Sequence, residues 1–242
     1  LKVILRSKTE PFTYTDDDPQ TTEELISYTA RVSNPVNQTN FETSEKLIQY
    51  LLKKSHVSPF EMVDLTMEIK TTRDIGRQIL RHRSFSFQEF SQRYAEVEVC
   101  DDNMQVRECR LQDKHNRQNS IPTKDQFLED RWNRMQWQVY DKAAAIYKEA
   151  ISLDIAKEQA RAVLPEGLTP STMYMKGSLR SWFHYCLVRC HPGTQKEHRE
   201  IAHECWRIIQ NQFSFFRGLD IEKLSIRYQE MFETLLEECY DR

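Results

Sequence analysis

Between Arg73 and Arg93 the chain carries five arginines, one histidine and three serines, against only two acids, Asp74 and Glu89. Arg73, Arg77 and Arg81 recur every four residues and share one face of a helix. Ile75, Ile79 and Leu80 then point towards a core, and Gln78 lies beside Arg81. The helix ends in Arg81-His82-Arg83, and a loop follows with Ser86, Gln88, Glu89, Ser91 and Arg93. Guanidinium forks match phosphate oxygens, and serine hydroxyls add neutral donors. Gln and Glu supply directional groups that read the edge of a base or ring. For one arginine the default reading is a solvated helix face with internal ion pairs. For the whole group a nucleotide or other polyanion site is favoured, because gathering like charge without a partner is costly.

Two further positions carry chemistry. His56 sits in HVSPFEM, where a lone histidine is by default structural. Arg161 lies in EQARAVLPEG just before a Leu-Pro helix stop, a place from which a side chain can reach into a cleft. The cysteines Cys100, Cys109, Cys186, Cys190, Cys205 and Cys239 form no CxxC pair. They read as reduced thiols of a cytoplasmic protein. Cys186, Cys190 and His191 imitate a metal set at a helix end. Structural zinc needs paired local ligands, so no metal is expected. The five glycines are too scattered for GxGxxG or a Walker loop, so any dinucleotide must be held without a Rossmann turn.

The elements that must position these groups are mixed. Residues 2–6 read as a strand, and 22–32 and 44–54 as helices. Val63, Leu65, Met67 and Ile69 alternate with polar residues, the pattern of a half-buried strand. Thr72 is placed to cap a helix running to about His82. Tyr94 to Val99 alternates again and reads as a strand. Residues 100–124 are polar and irregular, a long surface loop. Residues 125–163 are helical, interrupted near Ser152-Leu153-Asp154. After a turn at Pro165, Gly167 and Pro170, helices are expected at about 171–189, 194–216 and 221–239. Strands early and long helices late give an α+β chain. It reads as one domain, 1–242, carrying the loop at about 100–124.

A net charge of −3 gives no global signal for nucleic acid. The rival that the arginine helix binds RNA or DNA is disfavoured on that ground. No run of eighteen apolar residues exists, so no membrane partner is expected. A helical structural protein whose arginines pair only with Asp and Glu is the other rival.

The string Arg81-His82-Arg83, seven residues, then Ser91-Gln92-Arg93 is identical to RHR-x7-S-x-R, the signature of the flavin-dependent thymidylate synthases. Other segments resemble that family in order. Ala30 to Ser33 resembles its ARVS, His56 to Glu61 its H-x-[ST]-P-F-E, and Ala160 to Pro165 its ARxxLP. Gly177 to Arg180, His184 and Leu187 to Arg189 resemble its late helix, and Thr194 to Glu197 its TQxE. The likeness spans roughly residues 28 to 200. Met62 stands where many members carry histidine, and Gly177-Ser178 and His184 where some carry asparagine.

The resemblance implies an α+β (α/β) subunit with a central, mostly antiparallel sheet flanked by long helices. It implies a homotetramer with active sites between subunits. It implies conversion of dUMP to dTMP with methylenetetrahydrofolate as carbon donor and FAD, reduced by NADPH, as hydride carrier. FAD contacts would come from Ser58, Arg81, His82, Arg83, Glu89, Ser178, Leu179, Arg180 and His184. Contacts to dUMP would come from Gln78, Ile79, Leu80, Arg81, Glu89, Phe90, Ser91, Gln92, Arg93, Arg161 and Arg189, with Arg189 activating the uracil ring. No enzyme thiol attacks the base in this family. In agreement, the Pro-Cys-His motif of the cysteine-dependent synthases is absent, and Cys190-His191-Pro192 has the wrong order.

Overall fold

A computed structural model describes residues 1–99 and 104–240, with the backbone alone for 238–240. Four strands form an antiparallel sheet in the order β1 (Lys2–Lys8), β2 (Asp64–Thr72), β6 (Pro170–Ser178), β3 (Ser86–Glu89). A two-stranded hairpin, β4 (Arg110–Gln112) with β5 (Ser120–Pro122), stands apart. The helices are α1 (Thr22–Ala30), α2 (Ser44–Lys53), α3 (Arg73–Ile79), α4 (Gln126–Ser152), α5 (Lys157–Ala160), α6 (Leu179–Arg189), α7 (Lys196–Gln212) and α8 (Ile221–Tyr240).

The alternation that marks β2 buries Leu65, Met67 and Ile69 on one face. Met173 and Met175 of β6 line the same face, with Met67 directly opposite Met175. Trp182, Tyr185, Ile201, Trp206, Ile209 and Phe216 cover it from α6, α7 and the segment after α7. Truncating a buried side chain of this size to Ala typically costs about 2–5 kcal/mol. On the other face Glu68 accepts two hydrogen bonds from Arg6, at 2.7 and 2.5 Å. A smaller cluster lies under α4, where Tyr140, Ala144 and Tyr147 pack on Val97, Val99 and Leu168.

Several sequence expectations change here. Residues 171–178 are strand and not helix. Met173 and Met175 alternate with Thr172 and Tyr174, and strands on both sides supply backbone partners. The polar segment 86–89, expected as loop, is the edge strand paired to β6. Residues 94–99 form no strand. Val97 and Val99 alternate because both turn under α4, where the Val97 N–H donates to the Tyr147 hydroxyl at 2.9 Å. Within the long loop, residues 104–124 contain the β4–β5 hairpin, and Cys100 to Asn103 lie outside the described residues. Helix α3 stops at Ile79 and not His82, and Leu80 is exposed rather than core. Thr72 occupies the N-cap position of α3, but its hydroxyl bonds Asp74 Oδ1 at 2.5 Å in place of a cap bond. The interruption after Ser152 is real; Asp154 takes a positive φ of 60° there.

Among the described residues no helix is long and apolar enough to cross a membrane.

Candidate functional site

The arginine cluster divides when its partners are located. Arg73 pairs with Glu89 at 3.5 Å, Arg77 with Glu166, and Arg93 with Glu158 at 3.2 Å. Glu158 and Glu166 are remote in sequence, so this internal neutralisation was not readable there. Arg81 and Arg83 are exposed, and among the described residues no carboxylate lies within ion-pair distance of either. They remain available cations.

Arg73, Arg77, Gln92 and Arg161, with Ala162, Leu164 and Glu166, enclose a notch of about 280 Å³. Arg161, isolated in sequence, is brought here by the helix stop before Pro165. Gln92 is 4% exposed, and its Nε2 finds no hydrogen-bond partner among the described residues. A buried amide N–H without a partner costs about 1–3 kcal/mol, so a group that accepts from it is expected. Arg73 and Arg77 belong to the arginine group that the sequence favours as a polyanion site, although the family resemblance gives neither a ligand contact.

A second group forms where α3, α6 and α7 meet. The Arg189 Nε–H donates to His82 Nε2 at 2.8 Å. His82 also packs edge-on to Tyr185, with ring centroids 4.9 Å apart. Burial, aided by the charges of Arg189, His184 and Arg81, pushes the His82 imidazole down to about 4. It is therefore neutral, and its bare Nε2 is a fixed acceptor. Burial also pulls the Arg189 guanidinium below its usual value. His198, fully buried, is pushed down to about 3, again first by burial. Its Nδ1 lies 3.3 Å from Gln78 Oε1 and its Nε2 3.2 Å from the Tyr185 hydroxyl. His198 was not singled out from the sequence.

The remaining expected residues fall into three sets. Arg180 and His184, four apart on α6, lie on one exposed face, and Arg180 pairs with Glu61 at 3.0 Å. Exposed Ser58 belongs to the same short helical turn as Glu61. The Ser178 hydroxyl caps α6 by accepting from Ser181 N at 3.2 Å. Leu179 is buried and its N–H donates to Val63 O at 2.6 Å. Ile79 is also fully buried, so its side chain faces the core. On β3 and the turn after it, Glu89 accepts from Ser171 Oγ at 2.8 Å, Phe90 is exposed and Ser91 is half-buried. Arg31 of the ARVS segment is 7% exposed and holds the 34–43 loop through Asn40 O and Thr43 Oγ1, a structural task.

Cys186, Cys190 and Cys205 are buried free thiols. His191 is a half-buried residue whose Nδ1 accepts from Gly193 N. No set of three metal-ligating side chains is grouped among the described residues.

The fold and site define an α+β protein with a basic notch, a neutral histidine held against an arginine, and unpaired guanidiniums on either side of that histidine in sequence. The profile of the thymidylate synthase complementing protein family matches residues 14–213. The flavin-dependent thymidylate synthase of Synechocystis sp. is 49% identical over 207 residues, covering 86% of this chain and 93% of that one. A probable flavin-dependent thymidylate synthase of Paramecium bursaria Chlorella virus 1 is 45% identical over 201 residues, covering 83% and 91%. The crystal structure of the UMP/dUMP methylase PolB from Streptomyces cacaoi, bound with 5-Br dUMP, superposes with a TM-score of 0.72 at 24% identity, covering 88% and 91%, a likeness of fold. The chain belongs to the thymidylate synthase complementing protein family.

Proposed function

We propose that this protein is a flavin-dependent thymidylate synthase that methylates dUMP to dTMP, working as a single domain in a homotetramer with sites where subunits meet. The observation that carries the reading is the notch of Arg73, Arg77 and Arg161 closed by the unpartnered amide of Gln92. A phosphate would accept from the unpartnered Gln92 amide and from Arg161, which has no carboxylate within ion-pair distance among the described residues; Arg73 and Arg77 would join by leaving Glu89 and Glu166. Ser91 and Arg93, on the adjoining turn, extend the clamp for dUMP, with Arg93 leaving Glu158 to do so. Gln78, Leu80, Phe90 and the backbone at Ile79 line the approach to the base.

FAD fits the free donors. Arg81 and Arg83 offer unpaired charge to a pyrophosphate, and Arg180, His184 and Ser58 present exposed polar groups along α6 and its neighbour. His82, Glu89, Ser178 and Leu179 shape that side. FAD, reduced by NADPH, supplies the hydride, and methylenetetrahydrofolate supplies the carbon.

Arg189 does the work on the base. Its Nε–H is committed to His82, which leaves the two terminal amino groups for a ligand. Aimed at the uracil edge, they stabilise the negative charge that gathers around N3 and O4 as C5 becomes nucleophilic. A guanidinium cannot readily accept a proton from the base, so its role is electrostatic. Burial holds Cys186 and Cys205 protonated, whereas hydrogen bonds from Cys186 and His203 pull the Cys190 thiol down to about 6. Free thiols fit a reducing, cytoplasmic setting.

The test is tritium release from C5-labelled dUMP, with NADPH and methylenetetrahydrofolate, on protein whose bound chromophore is identified as FAD. Release dependent on all three sustains the reading. A colourless protein that releases no tritium would end it.

A further inference from the structure

A chain of polar groups, buried at Glu197, His198 and Tyr185, half-buried at Gln78 and exposed at Gln195, runs behind the site and ends on a carboxylate. Glu197, at the start of α7, is 8% exposed and faces two arginines, Arg110 Nη2 at 2.5 Å and Arg107 Nη1 at 3.5 Å. These charges hold it ionised, so it can only accept hydrogen bonds. The atom of Gln195 that meets it at 3.0 Å must therefore be the amide nitrogen. Gln195 then presents its oxygen to Gln78, 2.7 Å away, and the facing atom of Gln78 must be nitrogen. Gln78 in turn shows its oxygen to His198 Nδ1 at 3.3 Å, which must carry the proton. The neutral ring is left with a bare Nε2 that accepts from the Tyr185 hydroxyl at 3.2 Å. One charge decides the orientation of every group behind it.

We infer that Glu197, Gln195 and His198 are positioning residues that lock the Gln78 amide with its oxygen turned inward, so that Gln78 shows a nucleotide only a hydrogen-bond donor. Each of the two acceptor sites and donors of a free glutamine could otherwise face a ligand, and half of those arrangements present the wrong sign. With Oε1 turned inward to His198, its spare lone pair stays on the inner side, and with one N–H held by Gln195 the donor left facing outward is the second N–H. It selects an acceptor oxygen and rejects an amino group at the same place. The inference rests on reading Gln78 as a dUMP ligand.

The experiment is a double-mutant cycle on FAD-loaded protein, reading the dUMP dissociation constant by calorimetry. Gln78→Ala and Glu197→Gln should each weaken dUMP about tenfold, the loss of one hydrogen bond. The double variant should be no weaker than Gln78→Ala alone, because Glu197 acts through Gln78. Gln195→Ala, at an exposed position, should repeat this without touching the Arg107 and Arg110 pairs. Nitrogen NMR should find His198 protonated on Nδ1 in the native protein and a mixture of tautomers in Glu197→Gln. Penalties that add in full in the double variant, or none in Glu197→Gln and Gln195→Ala, overturn the inference. So does a native His198 protonated on Nε2. If Gln78→Ala itself binds dUMP as the native protein does, the ligand role of Gln78 fails, and this inference fails with it whatever tautomer is found.

Discussion

At the scale of single residues, the proposed chemistry centres on the hydrogen-bonded pair of Arg189 and His82. Arg189 is half-buried beside a neutral imidazole, so its terminal donors are preorganised and face little competing water. Removing one such donor typically costs ~100- to 1,000-fold in rate. Arg189→Ala is therefore expected to keep its fold and its flavin and lose that much turnover; activity within threefold of native would show the role to be misassigned. The two neutral histidines also set a pH dependence. His82 lies at about 4 and His198 at about 3, against an ordinary 6.5. Between these values the unfolded chain binds protons that the folded chain refuses. Their contribution to stability is complete above about 6.5 and is lost as the pH falls towards 4. The melting temperature should fall through that window, and His198→Gln should flatten the slope. Equal slopes in both proteins would show that His198 is not the group responsible.

At the scale of elements, α3 and β6 place the site. Helix α3 runs from the notch at Arg73 to Gln78, a rise of roughly 8 Å at 1.5 Å per residue. Strand β6 supports it from below and hands directly into α6, which carries Arg180, His184 and Arg189. The join depends on Gly177. A Cβ there would lie 2.6 Å from Phe85 Cε1, far inside contact distance. Phe85 packs edge-on to Trp182 with centroids 4.9 Å apart, and lies 6.5 Å from His82. Gly177→Ala should therefore push the Phe85 ring into Trp182 and His82, costing about 1–3 kcal/mol by overpacking. The expected result is a lower melting temperature together with weaker flavin binding. Phe85→Leu in the same chain should restore part of both; no loss in Gly177→Ala would mean that Phe85 moves aside freely.

At the scale of the whole molecule, apolar surface is left uncovered. On α4, Trp132, Met135, Val139 and Ile146 follow a helical spacing and are all exposed. On α8, Met231, Phe232, Leu235 and Leu236 do the same. Burying a Met or Val side chain is worth about 1.5–3 kcal/mol, so such stripes favour association. In the proposed homotetramer, FAD would be gripped by arginines and helix ends drawn from more than one subunit. Met135→Lys combined with Val139→Lys should shift the protein to smaller species in light scattering and release its yellow colour in parallel. A monomer that stays yellow would contradict the shared grip.

The sequence by itself determined the kind of chemistry. RHR-x7-S-x-R, the scarcity of glycine and the alternation of β2 are local facts, readable because side-chain period and residue type act over a few positions. It misread β6, because Pro170 to Ser178 becomes a strand only when β2 and β3 pair with it on both sides. It could not show which arginines are free, because Glu158 and Glu166 reach their partners across 65 and 89 residues. Nor could it show the two neutral histidines or the chain from Glu197 to Tyr185. Ionisation and hydrogen-bond direction depend on burial and on neighbours from three different helices, and folding alone brings these together.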